Sequence, residues 1–167
     1  MIYLLGISHN YQTRFFKTFR EGVPDYSHIP TECQFDEYLD QLVSDKKPKA
    51  ICQEESASDL AALQKIDERA YSIAERVSGS HSIEHVFCDP DQAERNALYA
   101  ASSTTEEEDR SRGYPIRESE WLRRIDHLLP DTLILFICGA NHVDTFAQKL
   151  DVRKIAVKVI CKDLKFG

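Results

Sequence analysis

The sequence predicts an α/β domain built on a mostly parallel central sheet of about five strands, with helices on both faces. Three observations point to that class. Short apolar runs without polar interruption, LILFIC from Leu133 to Cys138 above all, have the character of strands buried on both sides. Segments with apolar residues at helical spacing alternate with these runs. The resulting order, roughly βαβαβααβαβ, is that of parallel strands joined by helical crossovers.

Each element has its own signal. Ile2 to Ile7 is a short apolar run that reads as the first strand. From Ser8 to about Pro30 the chain is irregular, rich in aromatic residues, proline and polar side chains. A compact domain rarely keeps so long a loop without a use for it, so a lid is expected here. Thr31 can cap the helix that carries Phe35, Leu39, Leu42 and Val43 on one face, and Pro48 ends it. Ala50 to Gln53 is the second strand. Leu63, Ile66, Ala70, Ile73, Ala74 and Val77 mark one long helix ending near Gly79. Val86 to Cys88 is a third strand, and Asp91 to about Ala101 a helix.

Residues 102 to 113, SSTTEEEDRSRG, show no apolar period and are expected to form an exposed, mobile loop inside a single domain spanning 1–167. Pro115 suits the first turn of a helix whose core face is Trp121, Leu122, Ile125, Leu128 and Leu129. After the LILFIC strand, Val143, Phe146, Ala147 and Leu150 repeat at helical spacing. Lys154 to Cys161 alternates like a last strand.

Composition narrows the function. The chain has 167 residues, 21 basic and 28 acidic side chains and a net charge of -7. Phosphate backbones are normally met by a basic surface, so nucleic acid is a poor fit as a partner. No apolar run is long enough to span a bilayer, and MIYLLGISH reads as a strand rather than a signal peptide. The five cysteines, Cys33, Cys52, Cys88, Cys138 and Cys161, form no CxxC pair and are odd in number. Buried, reduced thiols and a cytoplasmic location are expected from this.

The polar residues fall at the ends of strands. His9 follows the first, Glu54 and Glu55 the second, Asp89 and Asp91 the third, Asn141 and His142 the fourth. In a parallel sheet the carboxyl ends share one edge, where ligands bind. Histidines and carboxylates there are the donors for a divalent metal and also the groups for acid–base catalysis. Successive strand residues face opposite ways, so one glutamate points into a given pocket, and Glu54 is preferred with Glu55 in reserve. Asp91 with Glu94 can be a helix capping box and nothing more. Arg95 and Arg117 are candidates to pair with a site carboxylate or to hold an anionic substrate group. Gly6, Gly139 and Asn141 are candidates for close contact with a cofactor. The alternative for each histidine is a helix cap or a carbonyl partner. The EEED run, 106–109, is expected to be solvated, and Cys88 and Cys138 to be inert.

Gly6-Ile-Ser-His9 and Gly139-Ala-Asn-His142 form a pair of G-x-x-H motifs near opposite ends of the chain. With Glu54, and with Glu94-Arg95 between them, they resemble the superfamily that includes TraB, the TIKI proteases, erythromycin esterase and ChaN. Activities in that superfamily range from metal-dependent peptide cleavage to ester hydrolysis and haem binding. The resemblance implies a site on His9, Glu54 and His142 with Arg95 or Arg117 assisting. The chain is short for the superfamily, and the middle acid and arginine are the loosest part of the correspondence.

The leading expectation is a small hydrolase acting on a small-molecule or peptide substrate. Its metal-dependent form has a divalent Mn, Zn or Fe on His9, Glu54, His142 and Asp89. One alternative is a non-catalytic module that binds an anion, a nucleotide or haem. Another is an interaction subunit of a larger complex. Self-association into a homo-oligomer is left open.

Overall fold

The computed structural model describes residues 1–8, 13–14, 18–20, 23–25, 29–129 and 131–166. Five parallel strands form the central sheet: β1 (Ile2–Ile7), β5 (Ala50–Gln53), β7 (Glu84–Phe87), β8 (Ile134–Gly139) and β9 (Val157–Leu164), in the spatial order β7-β5-β8-β1-β9. Between them in the chain lie α1 (Ile29–Lys46), α2 (Ala57–Ile66), α3 (Ile73–His81), α4 (Gln92–Ala101), α5 (Glu106–Ser111), α6 (Pro115–Ile125) and α7 (Val143–Val152). Three short strands, β2 (Thr13–Arg14), β3 (Thr18–Arg20) and β4 (Val23–Asp25), follow β1, and β6 (Tyr71–Ser72) precedes α3. β2 pairs with β6, and β3 with β4. Among the described residues no helix is long and apolar enough to cross a membrane.

The strand order explains the two-sided core. From β1 the chain steps outward through β5 to β7, then turns back to β8 and on to β9. Right-handed crossovers put helices on one face for one direction of travel and on the other face for the return. The packing agrees. Leu5, Ile7, Ile51, Leu135 and Ile137 pack against Phe35, Leu39 and Val43 of α1 and Ile73, Ala74 and Val77 of α3. Ile2, Leu4, Cys52, Ile134, Phe136 and Cys138 pack against Trp121, Leu122 and Ile125 of α6 and Val143, Phe146 and Leu150 of α7. Alternate residues of β1 and β8 therefore feed opposite layers, as the pleat requires. Both strands are buried on both faces, so neither shows a polar alternation. Each large side chain withdrawn fully from water contributes about 1.5–3 kcal/mol.

Gly6 is the tightest point of this packing. A Cβ there would lie 2.1 Å from the carbonyl oxygen of Lys162 in β9 and 2.4 Å from Cγ2 of Val143. The glycine lets β1, β9 and the start of α7 approach one another, so it serves the packing of this edge.

Three expectations are corrected. The single long helix ending near Gly79 is two helices, because Ser56 and Ser72 each cap a separate start: their hydroxyls accept from Asp59 N at 3.2 Å and Glu75 N at 3.3 Å. The exposed loop at 102–113 contains α5, begun by a capping box in which Thr105 accepts from Glu108 N and the Glu108 carboxylate accepts from Thr105 N. The last strand runs Val157–Leu164, later than the alternation from Lys154 indicated. The helix after the third strand does carry the Asp91/Glu94 capping box. Most of the candidate lid, and His9 with it, lies outside the described residues.

Candidate functional site

Glu54 is the residue that follows β5. Its side chain turns toward the α6/α7 face, where it is 1% exposed. Its Oε2 accepts the backbone N–H of Gly139 at 2.7 Å, tying the end of β5 to the end of β8. Its Oε1 accepts from Arg117 Nη2 at 2.9 Å and lies 3.3 Å from His142 Nε2. The other ring nitrogen of His142, Nδ1, lies 3.3 Å from Glu118 Oε1, and Thr145 donates its hydroxyl to that same oxygen. One buried imidazole thus stands between two buried carboxylates, one from β5 and one from α6.

A third carboxylate anchors the arginines. Asp89 Oδ1 accepts from Trp121 Nε1 at 3.0 Å and Arg117 Nε at 3.1 Å, and its Oδ2 accepts from Arg95 Nη1 at 2.9 Å. Arg117 therefore bridges Glu54 and Asp89, both almost fully buried. The guanidinium lies 5.6 Å from the ring centre of Tyr114 and 5.9 Å from that of Trp121. The same two rings flank His142, with centroids 4.1 Å and 4.8 Å away. Asp109 orients the helix from outside, accepting from the N–H groups of Ile116 at 2.9 Å and Arg117 at 3.4 Å. Those donors have no partner within the helix, which is why a carboxylate suits the position.

The protonation state follows from these partners. Burial opposes the charge on His142, but hydrogen bonds to Glu118 and Glu54 outweigh it and raise its pKa to about 9. At neutral pH both ring nitrogens then carry hydrogen and both donate. Burial also works against the Arg117 charge, and the Asp89 and Glu54 carboxylates raise its pKa in spite of it. Burial pushes the Cys138 thiol well up, with Glu54 and Glu118 adding to the effect, so it is no nucleophile at neutral pH.

On the other side of β5 lies a separate polar group. Gln53, fully buried, donates through Nε2 to the carboxylate of Glu55 and to Ser72 Oγ at 2.8 Å. Burial raises the Glu55 carboxyl to about 7, against hydrogen bonds from Ser72 and Gln53 that pull it down. Adjacent strand residues thus serve opposite faces, as the pleat requires.

Of the residues singled out in the sequence, Glu54, Asp89, Arg95, Arg117, Gly139 and His142 come together. Asn141 is exposed, and Gly6 packs against Lys162 and Val143. His9 lies outside the described residues. Of the expected metal donors that can be placed, Glu54 and Asp89 receive N–H groups from Gly139, Arg117 and Arg95, and the ring nitrogens of His142 face Glu54 and Glu118. Among the described residues no group of three His, Cys, Asp or Glu side chains is arranged to hold a metal.

Sequence reading missed Glu118, Thr145, Tyr114 and Asp109. Glu118 had a signal. It stands at the first position of the stripe Glu118, Trp121, Leu122, Ile125, a carboxylate in the buried register of its helix. The burial of Asp109 corrects the expectation that the whole EEED run is solvated. Thr145 and Tyr114 had none, because their roles depend on the packing of α7 against the turn before α6.

No protein-family model matches this chain. No curated protein and no solved structure matches it either.

Proposed function

We propose that the protein is a small hydrolase that uses His142, held between Glu54 and Glu118, for acid–base catalysis at the carboxyl ends of a parallel sheet. The observation that carries this reading is the placement of one imidazolium 3.3 Å from a carboxylate at each nitrogen. Such an arrangement stores a proton between two bases and fixes the ring orientation. In hydrolysis, water adds to the carbonyl carbon as its proton passes to Glu118. The bond to the leaving oxygen or nitrogen then breaks, and that atom takes a proton from Glu118 or His142. Arg117 holds Glu54 and Asp89 in place for this. The free thiols Cys52, Cys88, Cys138 and Cys161 suit a reducing compartment, and we place the protein in the cytoplasm.

The test is turnover of a panel of p-nitrophenyl esters and p-nitroanilides, with and without a chelator. We expect a chelator-insensitive rate that drops by about 10²–10⁴ in His142→Asn or Glu118→Gln, folding being checked by circular dichroism. An unchanged rate in both variants overturns the acid–base role. Loss on chelation, restored by Mn, Zn or Fe, replaces it with the metal-dependent version.

A second reading, a binding module without turnover, is favoured by one feature. The carboxylates Glu54, Asp89 and Glu118 are matched by the cations Arg95, Arg117 and His142, an internally satisfied network of the kind that also serves structure alone. Absence of turnover across the panel supports this reading.

A further inference from the structure

An open cleft of about 300 Å³ runs between the turn that joins α5 to α6 and the outer side of α7, lined chiefly by Arg112, Gly113, Glu118, Thr145, Gln148 and Lys149. Its volume is at the small end of the range for sites that bind small molecules. Glu118 belongs both to this lining and to the buried pair with His142. It is the member of the buried network through which the cleft meets the imidazole.

The walls carry positive charge. Arg112 is exposed and makes no ion pair among the described residues. Lys149 is half-buried and donates to the carbonyl oxygen of Pro115 and to Ser119 Oγ at 2.8 Å. An ammonium has three donors, so one remains for a ligand. The Gln148 amide adds a neutral donor and acceptor. Gly113 adopts φ +79°, and a Cβ there would come 2.8 Å from Thr145 Cγ2 in the facing wall. The narrow turn that shapes the cleft therefore needs glycine. The charge of Glu118 does not make the floor repel an anion as a lone carboxylate would, because the imidazolium of His142 stands directly behind it.

We infer that this cleft binds a small organic anion, a carboxylate or phosphate gripped by Arg112 and Lys149, and presents the ligand's reactive bond to Glu118. The substrate class would then be a small ester or amide that carries an acidic group. The anion grip stands on the cleft alone, whereas the role of Glu118 rests on the acid–base reading above.

The test is isothermal titration of the full chain with succinate and, separately, with inorganic phosphate. We expect at least one to bind, Arg112→Gln to weaken it about tenfold or more, and Lys158→Gln, an exposed change on β9, to leave it unaltered. The stronger of the two anions identifies the acidic group. In turnover, Arg112→Gln should raise KM for p-nitrophenyl hydrogen succinate with kcat unchanged, whereas Lys158→Gln should leave both constants unaltered. Failure of both anions to bind, or equal weakening by Arg112→Gln and Lys158→Gln, overturns the anion cleft. Arg112-dependent binding with no turnover of any ester upholds the cleft and overturns the hydrolase. Turnover of anionic and neutral esters alike, insensitive to Arg112, does the reverse.

Discussion

The carboxylate of Glu54 accepts the backbone N–H of Gly139 across 2.7 Å, joining the ends of two neighbouring parallel strands. The bond occupies one oxygen of Glu54 and leaves the other to Arg117 and His142. A single side chain therefore sets both the geometry of the sheet edge and the charge balance beneath it.

Glu54→Gln keeps the shape and removes the charge. Arg117 and His142 each lose an ionic partner in a buried setting, where breaking such a pair costs about 3–5 kcal/mol. Urea unfolding at neutral pH should show a loss of that order. A loss below about 1 kcal/mol would mean that the network contributes little net stability.

His142 makes stability depend on alkaline pH. Its pKa rises from 6.5 to about 9 on folding, so the folded chain holds a proton that the unfolded chain releases. The stabilisation is fully present below pH 6.5, declines as pH rises from there, and is lost above about 9. Its size is on the order of a few kcal/mol. Denaturation followed from pH 6 to 10 should show this decline in the wild-type chain and a flatter curve in His142→Asn. Parallel curves would contradict a proton shared by Glu54 and Glu118.

Glu55 works over a lower window. Its carboxyl moves from 4.5 to about 7, so folding favours the protonated form. That contribution is present below pH 4.5 and is lost as pH rises through about 7. Glu55→Gln should therefore become more stable relative to the wild type between pH 4 and 8. A stability difference that does not change with pH would show that Glu55 ionises normally in the fold.

The glycines of β1 and α3 form a matched pair. Gly6→Ala forces a Cβ against the Lys162 carbonyl and Val143 and should cost about 1–3 kcal/mol or more. Nothing lies within 4 Å of a Cβ at Gly79 in α3, where Gly79→Ala should stabilise by about 0.5–1 kcal/mol. Thermal melts of the two variants should move in opposite directions.

Sequence alone determined the layered α/β class and which strand-end residues share an edge. Unbroken apolar runs mark strands buried on both faces, and in a parallel sheet the polar residues that end those runs must share an edge. That reasoning brought Glu54, Asp89 and His142 to one edge because strand ends are local features of the chain, whereas Arg117, which opens α6, was a candidate partner for a carboxylate or an anion on other grounds. Tertiary structure decided the partners. Glu118 meets His142 only because α6 and α7 pack side by side on one face, and Asp109 caps α6 only because α5 folds back against it. The division between Glu54 and Glu55 likewise comes from what covers each face of β5. Contacts between residues distant in the chain leave no period in the sequence, and an isolated carboxylate looks the same there whether water or an imidazolium surrounds it.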